Sequence, residues 1–138
     1  MYNLHYQIYR MPQHAAIHNS GWYTFCLFTR ENESSLLLLD PSSSQIPAGI
    51  DDGLIFSVKE DQIPKKVKDS LKKFPIFYQN GYGPFPLQEV QQCDLKCLFD
   101  KIALHINTTY IYKDYLLANL ALQLLHFGIK HFTEVKTV

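Results

Sequence analysis

The sequence has few features that would tie its fold to disulfides or to a strongly charged partner. Its 138 residues include only three cysteines, Cys26, Cys93 and Cys97, too few for a disulfide-stapled scaffold. Lysine plus arginine and aspartate plus glutamate each total 13, so the formal net charge is zero. No field of one sign therefore favours nucleic acid or anionic lipid as a partner of the whole chain.

Long apolar runs are also scarce. The most apolar stretch, 115–129, is interrupted by Asn119, Gln123 and His126 and is shorter than the roughly 20 residues that a bilayer requires. The first residues lack the basic start and apolar segment of a secretory signal. We therefore expect a cytoplasmic protein with no membrane partner, and we expect ordinary thiols at Cys93 and Cys97.

The first half of the chain, residues 1–58, has the character of β-structure. Side chains alternate in polarity from Leu4 to Arg10, and the segment from Trp22 to Phe28 is apolar on both faces, as in a central strand. Two further apolar segments, 36–39 and 54–58, follow after polar turns, and the polar segment 30–34 is expected to be a loop of moderate length in a hairpin that joins 22–28 to 36–39. These patterns predict a small barrel or antiparallel sheet.

The second half is predicted to be helical. Residues 59–87 are charged and then proline-rich, which favours short surface helices and an extended linker. Apolar residues recur with helical spacing from Gln88 to Asn107, and Thr108 or Thr109 is placed to cap a last helix that ends near Phe132. The prediction is one α+β domain, 1–138, in which residues 88–132 form an antiparallel helical hairpin.

The last predicted helix has apolar residues around most of its circumference, and two apolar stripes require two packing partners. A second copy of the chain is the simplest partner for the second stripe, because symmetric dimers are the commonest oligomers. The residues predicted to form this contact are Leu116, Leu120, Leu124 and Phe127. The alternative is a helix buried on both sides within one chain.

Six segments occur in an order and spacing typical of one protein family. They are 53–57 (GLIFS), 60–63 (EDQI), 74–77 (FPIF), 86–89 (PLQE), 98–102 (LFDKI) and 112–132. They resemble the barrel-closing strand, the short helix, the "FPFF" element and the two long helices of the N-terminal regulatory domain of AraC-type bacterial transcription regulators.

This resemblance implies a cupin-like barrel in the first half, a small-molecule effector and a homodimer. In the family, DNA is bound only through a C-terminal helix-turn-helix domain. The six residues 133–138 are too few to form such a domain. The implied function is therefore that of a sensor and dimerisation domain in transcription regulation.

No pattern in the sequence points to catalysis. Enzymatic cupins hold a metal with two histidines one residue apart, whereas His14 and His18 are four apart and no glutamate follows closely. Ser20 has no nearby base, and Cys26 lies among apolar neighbours. We expect a protein that is not an enzyme and holds no metal or cofactor. The alternative is a stand-alone cupin-like binder or a metal enzyme built around His14 and His18.

A pocket for an effector needs apolar and aromatic walls with a few polar groups. The first half of the chain offers such residues on alternate positions of its strands, where they would point the same way. The predicted pocket residues are Tyr6, Arg10, Tyr23, Phe25, Leu27 and Phe56. The lysines between 65 and 73 are instead expected to form a solvated helix face.

Overall fold

The computed structural model describes residues 5–11, 21–42, 53–74, 76–78 and 83–133. In these ranges the strands are β1 (Tyr6–Met11), β2 (Trp22–Arg30), β3 (Glu33–Leu39), β4 (Gly53–Lys59) and β5 (Phe85–Pro86). A 3-10 helix spans Glu60–Gln62, and the α-helices are α1 (Lys65–Leu71), α2 (Glu89–Ile106) and α3 (Lys113–Thr133). The α+β class predicted from the sequence is confirmed.

The five strands form one antiparallel sheet in the order β1-β4-β2-β3-β5. The strand predicted to be central, β2, lies between β4 and β3, and side chains on both of its faces are buried. Among the described strands the sheet is open, with β1 at one edge and β5 at the other, and these strands do not close into a barrel. The prediction that the first half forms a cupin-like barrel is therefore wrong, because the sheet is not closed.

The connection between β2 and β3 is shorter than the sequence predicted. Arg30 pairs with Glu33, so only Glu31 and Asn32 form the turn, with φ values of 53° and 67°. Positive φ at both central residues is typical of a type I′ turn, whose twist matches that of the flanking strands. The polar segment that was predicted to be a loop of moderate length therefore extends both strands.

The boundary between the two long helices also differs from the prediction. α2 begins at Glu89, close to the predicted start, and the Gln88 backbone N–H donates a hydrogen bond to Gln91 Oε1 at 2.9 Å. α3 begins at Lys113, several residues after the predicted cap. The Thr108 hydroxyl donates instead to the His105 carbonyl at 2.8 Å. Thr108 therefore satisfies a carbonyl at the end of α2.

α2 and α3 pack on one face of the sheet and form the main core with it. On the opposite face, Cys26, Leu37 and Ile55 belong to a second buried cluster, against which Tyr78 packs. Thr24 and Ser57 lie on this second face, and their hydroxyl oxygens are 3.0 Å apart. Both faces of the central strands are therefore covered.

Three of the four residues predicted to form a symmetric contact are buried within the single chain. Leu120, Leu124 and Phe127 are part of the main core, and Leu116 is partly buried against it. Among the described residues, most of the large exposed apolar side chains lie instead near the junction of α2 and α3, where Ile111 is 83% exposed and Tyr115 is 77% exposed, while Val90 is exposed at the start of α2. The surplus apolar surface expected along α3 is thus concentrated at one end of the hairpin.

Candidate functional site

All six residues predicted to line a pocket lie on the sheet face that the helices cover. The strand register arranges this face in three rows that run across the strands. The first row contains Tyr6, Val58 and Tyr23; the second Ile8, Phe56, Phe25 and Leu38; and the third Arg10, Leu54, Leu27 and Leu36. The prediction that Tyr23, Phe25 and Leu27 point the same way is confirmed.

The middle row is filled and cannot be a pocket wall in this conformation. Phe25 and Phe56 are fully buried, and their ring centroids lie 6.1 Å apart. The Tyr6 ring stacks on the other side of Phe56 at 6.3 Å, and its hydroxyl lies 3.1 Å from the Asp114 carbonyl at the start of α3. Tyr6, Phe25 and Phe56 are therefore core residues beneath the long helices, and Tyr23, which is 5% exposed, belongs to the same core cluster.

The third row borders a small depression of about 190 Å³. Arg10 and Leu27 line it together with Gln92 and Lys96 from the first turns of α2. Arg10 and Leu27 therefore share one concave surface, whereas Tyr23 lines a different one.

A cleft of about 620 Å³ opens beside the first row, between the end of the sheet and α1. The sheet side of the cleft is formed by Tyr23, Asp40 and Glu60, and the floor is apolar. The Tyr23 ring packs against Phe77 with a centroid distance of 5.9 Å. Most of the lining residues are polar or charged, and the apolar ones are Pro41, Leu71, Phe74 and Phe77, so this is a polar cleft with an apolar floor. We take this cleft as the candidate functional site.

The backbone around Gly21 holds the acidic side of the cleft together. Gly21 N–H donates to the Pro41 carbonyl at 3.0 Å, and the Gly21 carbonyl accepts from Glu60 N–H at 2.9 Å. Gly21 has φ of 92°, a conformation that glycine adopts without steric cost. This residue therefore fixes two separate chain segments, 40–42 and 60, beside the start of β2.

Burial, together with two nearby carboxylates, shifts the pKa of the Tyr23 phenol upward. Burial, followed by the negative charges of Asp40 and Glu60, raises the pKa of Tyr23 to about 12. The Asp40 carboxylate accepts hydrogen bonds from the Ser42 backbone N–H at 2.9 Å and from its hydroxyl at 2.7 Å. Tyr23 therefore offers a neutral phenol, which can donate or accept a hydrogen bond, at physiological pH.

The opposite side of the cleft is basic. The lining on this side includes Lys65, Lys68 and Asp69 of α1 and Lys72, the residue that follows the helix. Lys72 Nζ lies 4.0 Å from Asp69 Oδ1, so the charges of these two side chains offset each other. The cleft therefore presents Asp40 and Glu60 on one side and Lys65 and Lys68 on the other, with no net charge between them. Such an arrangement complements a small molecule that carries both a cationic and an anionic group.

The other candidate groups do not converge on a reactive site. His14, His18 and Ser20 lie outside the described residues. Within the ranges that the structure describes, no three His, Cys, Asp or Glu side chains form a group that could hold a metal ion. Cys26 is fully buried, and burial raises the pKa of its thiol to about 12. This thiol therefore stays protonated and shielded from solvent.

Sequence reasoning placed Tyr23 in a binding surface but missed the charged residues around it. Asp40 follows β3 directly and Glu60 follows β4, so both lie at strand ends beside the start of β2. A carboxylate directly after an apolar strand was a usable signal for Asp40. The lysines of α1 were assigned to a solvated face, and nothing in their spacing indicated that this helix borders a cleft.

No protein-family model matches the chain, and no curated protein is significantly similar to it in sequence. Among the helices of the described part of the chain, none combines the length and the apolar character needed to cross a membrane.

Proposed function

We propose that this chain is the sensor and assembly domain of an AraC-type bacterial transcription regulator, which binds a small effector and works through a DNA-binding domain that these residues do not include. The observation that carries the proposal is the order of its elements. An antiparallel sheet, a short helix and a helical hairpin follow one another, and the hairpin packs on the sheet. The six segments that resemble the family fall on β4, the 3-10 helix, the 74–78 segment, β5 and the two long helices.

The sensor role is supported by the cleft beside Tyr23. Its charged sides and apolar floor complement a dipolar molecule with an apolar body, and amino acids and short peptides with apolar side chains have this character. The residues that would contact such an effector are Tyr23, Asp40 and Glu60 on the sheet side and Lys65 and Lys68 on α1. Because the cleft lies between α1 and the sheet, an occupant would bridge the two halves of the chain.

The assembly role is supported by an exposed apolar surface, which we call the hairpin-tip patch. It lies where α2 ends and α3 begins, and its members are Leu104, Tyr110, Ile111, Tyr112 and Tyr115. The Tyr110 and Tyr112 rings meet edge to face with 5.8 Å between centroids, and the Tyr112 and Tyr115 rings are tilted at 6.2 Å. Lys113 and Asp114 follow within the patch, so it carries no excess charge that would oppose contact between two copies. Tyrosine is enriched at such interfaces.

Sedimentation equilibrium of the 138-residue chain tests the assembly role. We expect a reversible dimer that is weakened at least tenfold by Ile111→Ser with Tyr115→Ser. Leu124→Ala is the matched control: it lowers stability from within the core but should leave association of the folded chain unchanged. A chain that stays monomeric at high micromolar concentration would remove the assembly role, as would a dimer insensitive to the patch variant.

Thermal shift measurements with amino acids and dipeptides test the sensor role. A ligand that raises the melting temperature of the natural chain should lose affinity in Tyr23→Phe and in Lys68→Ala. Tyr6→Phe is a stringent control, because Tyr6 lies in the same row of the same sheet face but does not line the cleft. Equal loss of affinity in the Tyr6 and Tyr23 variants would show that the cleft does not bind the ligand.

The alternative function is a stand-alone small-molecule binder, and the same cleft favours it, since an occupant needs no DNA-binding domain. The two functions differ in what ligand binding does to association. A sensor that controls assembly changes the dimer dissociation constant when ligand binds, because binding and assembly are then linked. A simple binder shows ligand affinity that is independent of protein concentration.

A further inference from the structure

Two of the three cysteines lie side by side on the outer surface of α2. Cys93 and Cys97 are both exposed, and they are four residues apart in one continuous helix. Residues at this spacing are neighbours on a helix surface, with Cβ atoms about 5–6 Å apart. Both line a shallow groove of about 380 Å³ that also includes Lys96, Lys101 and Leu104. The two thiols therefore face the same space.

This spacing suits a metal ion that binds two sulfurs in a line. Zinc–thiolate bonds are about 2.3 Å long, and a linear two-coordinate ion with bonds of similar length holds its sulfurs roughly 4–5 Å apart, within reach of side chains on adjacent turns. Thiolates are soft ligands that select soft ions such as Cu(I). We propose that Cys93 and Cys97, juxtaposed on one face of α2, form a two-thiolate site for a soft monovalent metal ion of the Cu(I) class.

The charges around the pair are compatible with this complex. Two thiols and one monovalent ion form a bis-thiolate complex of charge minus one and release two protons, with no change in oxidation state. Lys96 and Lys101 line the same groove and offset the negative charge of the complex, while Asp100 opposes it. Cys26 does not compete, because it is fully buried on the far face of the sheet. The site is independent of the cleft beside Tyr23.

Titration of the 138-residue chain with Cu(I), under anaerobic reducing conditions and in competition with a chromophoric Cu(I) chelator, tests the proposal. The expected result is one ion per chain, with affinity reduced at least 100-fold in Cys93→Ser and in Cys97→Ser. Bound ion should also protect both thiols from iodoacetamide, as read by mass spectrometry. Circular dichroism checks that each variant keeps its helix content, which we expect because both side chains are exposed.

A variant with the same number of exposed thiols at the wrong spacing makes the test stringent. Cys97→Ser combined with Asp94→Cys places the two thiols at adjacent positions, which do not face each other on a helix, and should bind as weakly as the single variants. Equal affinity in this variant would overturn the proposal. Affinity that survives in both single variants would do so too, as would one ion bridging two chains, seen as a copper-dependent doubling of mass in light scattering.

Discussion

Tyr6 and Tyr23 lie in the same row of the same sheet face and are separated only by Val58, yet their surroundings differ. The Tyr6 hydroxyl is held beneath the helices, 3.1 Å from the Asp114 carbonyl and 3.3 Å from Gln62 Oε1. Tyr23 is also largely buried, at 5% exposure, but it borders a cleft whose other side is the seven-residue helix α1. The long helices close the sheet face where they cover it, and the short helix leaves its border open.

Strand alternation predicts which face of the sheet a side chain occupies, but not whether that part of the face is core or pocket. Whether an aromatic residue packs or binds depends on the length and position of the helix above it. The strongest tests therefore compare equivalent substitutions in the closed and open parts of one face.

The largest effect is expected in the closed middle row. Phe56→Ala should lower the free energy of unfolding by about 3–5 kcal/mol, because it removes a fully buried ring between Tyr6 and Phe25. Phe74→Ala, at the partly exposed floor of the cleft, should cost about half as much or less. Urea denaturation measures both. Equal losses at the two positions would mean that the cleft is as tightly packed as the core.

High pH should destabilise the fold through groups that are buried as neutral acids. The unfolded chain loses protons from tyrosine near pH 10.0 and from cysteine near pH 9.0, whereas the pKa values of Tyr23 and Cys26 in the fold are about 12. The pKa of Tyr6 is raised further still, mainly by burial. The contribution of these groups to the free energy of unfolding should therefore be fully present below about pH 9 and should fall as the pH rises towards 12.

Each such group contributes a slope of up to about 1.4 kcal/mol per pH unit between its unfolded and folded pKa values, because the native state retains a proton that the unfolded state releases. Tyr23→Phe should make the pH dependence of urea denaturation between pH 10 and 12 shallower, and Cys26→Ala should do so from pH 9. A slope that Tyr23→Phe leaves unchanged would show that the phenol is ionised as easily in the cleft as in water.

The two tyrosines should also differ in what their hydroxyls contribute near neutral pH. Tyr6→Phe removes a hydroxyl bonded beneath α3 and should cost about 0.5–1.5 kcal/mol. Tyr23→Phe should cost less, because its hydroxyl borders a cleft that water can enter. Thermal and urea denaturation of the two variants give this difference directly. A larger loss at Tyr23 would assign it a structural role and weaken its role as a ligand contact.

Much of the fold could be predicted from local patterns, and the exceptions have physical causes. Period-two alternation located β1, an apolar run on both faces located β2, and helical spacing located α2, because each pattern reflects which faces are buried. The start of α3 was predicted too early, because a threonine such as Thr108 can either cap the N-terminus of a helix or bond a carbonyl at the C-terminus of the preceding one. Closure of the sheet into a barrel depends on pairing between distant strands, which local pattern does not encode.

The candidate site was less predictable than the fold, because it is assembled from residues far apart in the chain. Tyr23 was recognised from its strand, whereas Asp40 and Glu60 reach it only through the register of β2 with β3 and β4. The symmetric contact predicted along α3 was misplaced for a related reason. Leu120 and Leu124 looked surplus when one helix was considered alone, but the sheet and α2 provide a partner for each side.

A change outside both parts of the sheet face provides the smallest and most specific test. Glu31 and Asn32 form the β2–β3 turn with positive φ, a conformation that costs most L-residues about 1–2 kcal/mol and that asparagine and glycine tolerate better. The double change Glu31→Asn with Asn32→Gly should raise the free energy of unfolding by about 0.5–1 kcal/mol.

Because this turn is remote from the residues that line the cleft, the same double variant should leave ligand affinity unchanged at a temperature where both chains are folded. Any loss of affinity in Tyr23→Phe can then be compared with a variant that alters stability alone. If the turn variant changed affinity as much as Tyr23→Phe, binding would follow global stability, and the open cleft would not differ in function from the closed core.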